Sequence, residues 1–215
     1  MSELTKINTD AEFQALLDRF MSRRLPDEPE VEQSAPAPVT DAKQVRLGWY
    51  IPPRHANDTF ENFRQSPDMA DAYDQCRKVA AGEARCALLQ GSFGNGKSHL
   101  AIAALREWGG LETGYFWKVP LFLQMLKTRA FDDGEPLDDV LNPYANGTSL
   151  VVFDDLGAEN KTEWAAEQLF RVLDGRYDNR APTIITTNVR PDQLDQRILS
   201  RYREGLVYCG GEDQR

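Results

Sequence analysis

Residues 91–98 read GSFGNGKS, and this stretch restricts what the chain can fold into more than any other. It fits G-x-x-x-x-G-K-[ST] from Gly91 through Gly96, Lys97 and Ser98. The apolar run CALLQ (86–90) leads into it, and SHLAIAALREW (98–108) continues from it with helical spacing. Strand, glycine-rich turn and helix in that order make a phosphate-binding loop in a parallel α/β sheet. The glycines let the backbone curl until successive amides point at one anion. The helix starting near Gly96 adds the positive end of its dipole. The expected contacts to a nucleoside triphosphate, ATP in the first instance, are Gly91, Ser92, Phe93, Gly94, Asn95, Gly96, Lys97, Ser98 and His99. Lys97 is expected to reach the β- and γ-phosphates, and the Ser98 hydroxyl to ligate Mg²⁺.

From about Gly48 onward, apolar strands alternate with helical patterns, as in a parallel sheet flanked by helices. After the loop, strands are expected at TGYFWKV (113–119), SLVVFDD (149–155), PTIITTN (182–188) and LVYC (206–209). Helices are expected at LFLQMLKTRAF (121–131), at KTEWAAEQLFRVLDGRYDNR (161–180), and over PDQLDQRILSRYR. In the 161–180 helix, Trp164, Phe170, Leu173 and Tyr177 fall near one face. Phe116 and Trp117 read either as core or as stacking platforms for bases.

Three further features can complete a nucleotide site. VVFDD closes a buried strand with Asp154 and Asp155, and ligands of parallel sheets lie beyond such strand ends. Asp154 is expected in the Mg²⁺ shell, and Asp155 as the group that polarises the attacking water. Asn188 closes the next strand, where a neutral amide can orient water without repelling a phosphate, or serve only as a turn residue. Arg197 and Arg201 stand at i, i+4 on a helix and share a face. Such an arginine is either solvated or offered to a neighbouring subunit's γ-phosphate.

The chain has a formal charge of −9, so any contact with nucleic acid is expected to be local or dependent on assembly. Cys76, Cys86 and Cys209 are scattered, which suits a reducing, cytoplasmic setting and neither a disulfide framework nor a zinc site. No run approaches the roughly 18 apolar residues of a membrane span, and MSELTKINTD is no secretory signal. TDAEFQALLDRFMSRR (9–24) starts with capping-box spacing, Thr9 to Glu12, and places Phe13, Leu16, Leu17, Phe20 and Met21 on one helical face. The proline- and acid-rich stretch after Arg24 reads as a linker. Residues 1–47 are thus expected to be a tethered helix, packed on the main domain or docking a partner, and residues 48–215 the globular domain.

DTFENF (58–63), GSFGNGKSHLA (91–101), VVFDDLGAENKTEW (151–164), RYDNRAPTIITTN (176–188) and RILSRY (197–202) resemble the DnaC-type helicase loaders and the related IstB-like transposition ATPases, within the AAA+ ATPases. The resemblance covers about residues 48–208. It implies a sheet with helices on both faces, Asn188 as sensor 1, Arg201 as the trans-acting arginine finger, and ATP-dependent self-assembly. It further implies loading or remodelling of a ring helicase on single-stranded DNA, with the segment between the second and third strands able to face that DNA. Lys118, Lys127 and Arg129 are the candidates there, beside the acidic FDDGEPLDD. Three departures matter. Asp155 stands where most AAA+ proteins have glutamate, which implies slow, switch-like hydrolysis. The chain ends soon after the arginine motif, so no C-terminal α-helical lid is expected. The N-terminal segment has no cysteine, so no zinc-binding N-terminal domain is expected either. The tethered helix favours a loader over an IstB-like transposase helper, and a solitary P-loop kinase would explain neither Asn188 nor Arg201.

Overall fold

A computed structural model describes residues 51–108 and 114–210. The expected helix at 9–24 and its linker lie outside the described residues. Five strands, β1 (Cys86–Gly91), β2 (Tyr115–Lys118), β3 (Val151–Leu156), β4 (Thr183–Thr187) and β5 (Leu206–Cys209), make one sheet in the order β2-β3-β4-β1-β5. All four pairings are parallel. The helices are α1 (Ala70–Ala80), α2 (Lys97–Glu107), α3 (Val119–Lys127), α4 (Leu137–Ala145), α5 (Glu163–Asp178) and α6 (Gln196–Tyr202). None of them is long and apolar enough to cross a membrane.

Side chains alternate across a strand, so each apolar run feeds two cores. Leu88, Trp117, Val151, Phe153 and Ile185 face α3, α4, α5 and α6. Ala87, Leu89, Phe116, Val152 and Ile184 face α1, α2, Phe60 and Phe63. The sheet is thereby covered on both faces, and each large side chain so buried contributes about 1.5–3 kcal/mol. Phe116 and Trp117 are both buried, so the pair is core and not a stacking platform.

Helices α1 and α4 have no counterpart among the elements expected above. The buried face of α1 is Ala72, Cys76, Val79 and Ala80, mostly small residues on a helix that is otherwise polar. Helix α4 contains Pro143 and opens on two aspartates, which read as loop. The buried face of α5 also differs from expectation. It consists of Ala165, Gln168, Leu169, Val172, Leu173 and Arg176, while Tyr177 is exposed and Trp164 and Phe170 lie at the margin. The expectation followed the large aromatics, whereas the stripe that packs carries small and polar residues as well.

Arg176 explains part of that. It is fully buried and donates to the carbonyls of Tyr144 (2.5 Å), Ser149 (2.6 Å) and Pro182 (2.7 Å) and to Thr183 Oγ1 (2.9 Å). It ties α5, the end of α4 and the entries to β3 and β4 into one unit. Burial pulls its pKa down to about 10, so it stays charged at neutral pH. Thr162 caps α5 by accepting from the Ala165 amide, a contribution of about 1 kcal/mol. The expected helix over 191–203 is broken into a single 3-10 turn at Pro191–Gln193 and then α6, whose cap is Asp195.

Candidate functional site

The loop of residues 91–96 runs from β1 to the first turn of α2. Gly96 caps α2 with φ +94°, a left-handed conformation, and a Cβ there would stand 2.6 Å from the Phe63 ring. At Gly91 a Cβ would meet the Cys209 carbonyl at 2.0 Å. Backbone shape and close packing both demand glycine at 96, and close packing demands it at 91. Lys97 is buried beneath its own loop. Its ammonium donates to the carbonyls of Gly91 (3.0 Å) and Ser92 (2.6 Å) and to Asn95 Oδ1 (2.9 Å). Asn95, also buried, uses its amide to hold the Cys209 carbonyl at the end of β5 (2.7 Å). The Phe93 side chain is 68% exposed, a large apolar group at the surface of the loop. His99 turns towards the 58–63 segment, donating from Nε2 to the Thr59 carbonyl (2.8 Å) with its ring against Phe63.

The strand order puts the ends of β2, β3 and β4 side by side, next to β1 and its loop. Ser98 Oγ donates to Asp154 Oδ1 at 2.7 Å, and so does Thr186 Oγ1 from β4. Thr186 accepts in turn from the Asp155 amide (3.0 Å). Asp155 has φ +61° and sits where the β3–β4 register shifts between Phe153 and Leu156. A non-glycine residue held there costs on the order of 1–3 kcal/mol and persists only where its surroundings fix it. Here they do. Lys118 donates to Asp155 Oδ2 at 3.1 Å, and the Asn188 amide lies 3.5 Å from Oδ1.

Burial pushes the Asp154 carboxyl above its ordinary pKa, and the charge of Asp155 adds to this. Hydrogen bonds from Ser98 and Thr186 and the charge of Lys118 work the other way. The two carboxylates and the Ser98 hydroxyl make an all-oxygen donor set, and the single charge of Lys118 offsets only one of the two aspartates. That chemistry fits a hard divalent cation such as Mg²⁺.

Lys118 corrects one expectation. Read as a candidate for DNA, it instead stands opposite Asp154 in the β2–β3 register and pairs with both aspartates, at 3.1 and 3.8 Å. The one sequence signal was a lysine closing the strand before VVFDD. Of its fellow candidates, Lys127 is exposed with its ammonium 5.2 Å from the centre of the Trp164 ring, and Arg129 forks onto Glu135.

Arg201 belongs to a different face, formed by α5 and α6. Its guanidinium pairs with Asp174 and donates to the Arg197 carbonyl at 3.0 Å. Arg197 pairs with Asp195 (2.6 Å). Both guanidinium groups lie over the Phe170 ring, at 4.2 and 4.8 Å from its centre. None of these partners belongs to the phosphate loop. The structure thus brings Lys97, Ser98, Asp154, Asp155 and Asn188 together and leaves Arg201 apart.

A family model described as "IstB-like ATP binding protein" matches residues 62–200. The replicative helicase loader DnaI of Bacillus subtilis (strain 168) is 28% identical over 143 residues, covering 66% of this chain and 43% of that protein. The phage-like element PBSX protein XkdC of the same organism is 29% identical over 174 residues, covering 74% of this chain and 61% of that protein. The chain therefore spans less than two thirds of the length of these relatives. Among solved structures, the DnaC helicase loader superposes with a TM-score of 0.62 at 25% identity, over 74% of this chain and 100% of that one.

Proposed function

Because the chain belongs to the IstB-like ATP-binding family, we propose that it is an ATP-driven helicase loader, a switch that binds ATP, self-assembles and places a ring helicase on single-stranded DNA. The observation that carries this reading is the division of the site: the loop and three strand ends form one half, and the arginine of α6 is turned away from it. Such a half-site is completed by another copy. The similarity to DnaI and DnaC supports the choice of client.

In this account Lys97 exchanges the carbonyls of Gly91 and Ser92 for the β- and γ-phosphates of ATP. Ser98 and Asp154 would hold Mg²⁺, which when bound offsets phosphate charge. Asp155 orients the attacking water and takes its proton, with Asn188 fixing the position of both. Lys118 holds Asp155 in place and balances the charge of the aspartate pair. Arg201, released from Asp174, meets the developing charge on a neighbour's γ-phosphate. A short carboxylate at 155, already held by two partners, makes slow hydrolysis the expectation. Residues 9–24 dock the helicase, and Lys127 is the remaining candidate for a weak contact to single-stranded DNA.

Co-purification with a replicative ring helicase tests the client. The full chain should capture the helicase with ATP present, and Phe13→Asp with Leu17→Asp should lose the helicase while keeping ATP. If the chain captures a transposase and no helicase, the second reading, an IstB-like assistant of DNA transposition, replaces the first.

A further inference from the structure

The phosphate loop carries an aromatic ring that is largely exposed among the described residues. Phe93 is 68% exposed, and its neighbours Ser92 and Gly94 bear no charge. A lone exposed ring is common on protein surfaces. This one, however, lies on the loop that a neighbour's arginine would have to approach. We propose that Phe93 is an assembly anchor, seated in a second copy of this chain in the hollow beside Phe170 on α5. The proposal rests on the shared-site reading above and names the contact that brings the two halves together.

The hollow, of about 550 Å³, is lined by Glu163, Ala166, Glu167, Phe170, Arg171 and Arg197. The α5 members fall one helical turn apart and so form a stripe. Arg197 and Arg201 lie over Phe170 at one end of that stripe. For Arg201 to reach a γ-phosphate, this face must cover the neighbour's phosphate loop, and Phe93 is only four residues before Lys97. The ring of one copy and the finger of the other therefore meet at the same interface.

The charges fit this division of labour. Two glutamates and two arginines line the hollow, so its formal charges cancel and it suits an uncharged ring better than a bare phosphate. Arg171 and Arg197 in its wall supply cations, and a ring within about 6 Å of a guanidinium is attracted to it through its face. Because loop and hollow are different patches, the contact is heterologous and propagates into a ring or a filament.

Crosslinking tests this directly. Cys76, Cys86 and Cys209 are buried free thiols, so introduced surface cysteines react selectively with a short bismaleimide. Full-length Phe93→Cys and Glu167→Cys proteins are mixed with ATP and Mg²⁺. A crosslinked dimer is expected in the mixture and in neither protein alone. In parallel, Arg201→Ala is mixed with Lys97→Ala and scored for recovered ATP hydrolysis. If activity recovers but no crosslink forms, the anchor is wrong and the shared site stands. If neither appears, the shared site fails and the anchor fails with it. As a second measure, Phe93→Ser should raise the protein concentration at half-maximal hydrolysis by roughly 10-fold, and Phe93→Leu should restore most of the loss; an unchanged concentration for Phe93→Ser overturns the proposal.

Discussion

The phosphate-loop side and the α5–α6 face hold their charges in opposite ways. On the loop side Lys97 and Asp154 are buried, and each has several fixed partners from its own chain. On the α5–α6 face Arg201 and Arg197 are at least partly exposed, and each is paired with one carboxylate. Enclosed, fully partnered groups are costly to rearrange, whereas partly exposed ion pairs exchange partners for about 1 kcal/mol or less. The first side is built in advance; the second can be released.

If that contrast is right, the largest effect belongs to the face that touches no nucleotide of its own. Arg201→Ala should leave ATP binding by the isolated subunit intact and cut hydrolysis by about 10³–10⁵, measured at saturating ATP. A fully active variant would erase the contrast. Next comes the loop side. Asp155→Asn should keep ATP bound and slow a single turnover by about 10²–10⁴, the usual worth of a positioned base. An unchanged rate would remove Asp155 from the chemistry.

The third test asks whether enclosure itself matters. Arg176→Ala strands the carbonyls of Tyr144, Ser149 and Pro182 and should destabilise the fold by about 3 kcal/mol or more in denaturant titrations. A loss below about 1 kcal/mol would place Arg176 with the ordinary surface arginines. The smallest effect is expected at the latch. Asp174→Asn should free Arg201 and lower the protein concentration at half-maximal hydrolysis by about 2- to 5-fold, the equivalent of a weak ion pair. A rise instead would mean that Asp174 aims the arginine and does not restrain it.

The same contrast marks what could be read from the sequence. Gly91, Gly96, Lys97 and Ser98 announce themselves because their spacing is local, and Asp154, Asp155 and Asn188 because they close apolar strands. The five strands were legible for the same reason. What escaped depends on register between distant segments. Lys118 reaches the aspartates only because β2 is the outer neighbour of β3. Asn95 meets Cys209 across 114 positions of chain, and Asp174 meets Arg201 across 27. Helices α1 and α4 escaped although each has a periodic apolar face: α1 is polar overall with small residues on that face, and α4 carries Pro143 and two leading aspartates.

The central claim is that a working site takes its loop from one copy and its arginine from another. The most direct test mixes Arg201→Ala with Lys97→Ala, each inactive alone, and follows ATP hydrolysis as their ratio is varied. The account predicts activity in the mixture that peaks at intermediate ratios, because some interfaces then pair an intact Lys97 with an intact Arg201. Hydrolysis that stays at background at every ratio, with the parent protein's specific activity independent of its concentration, would contradict it.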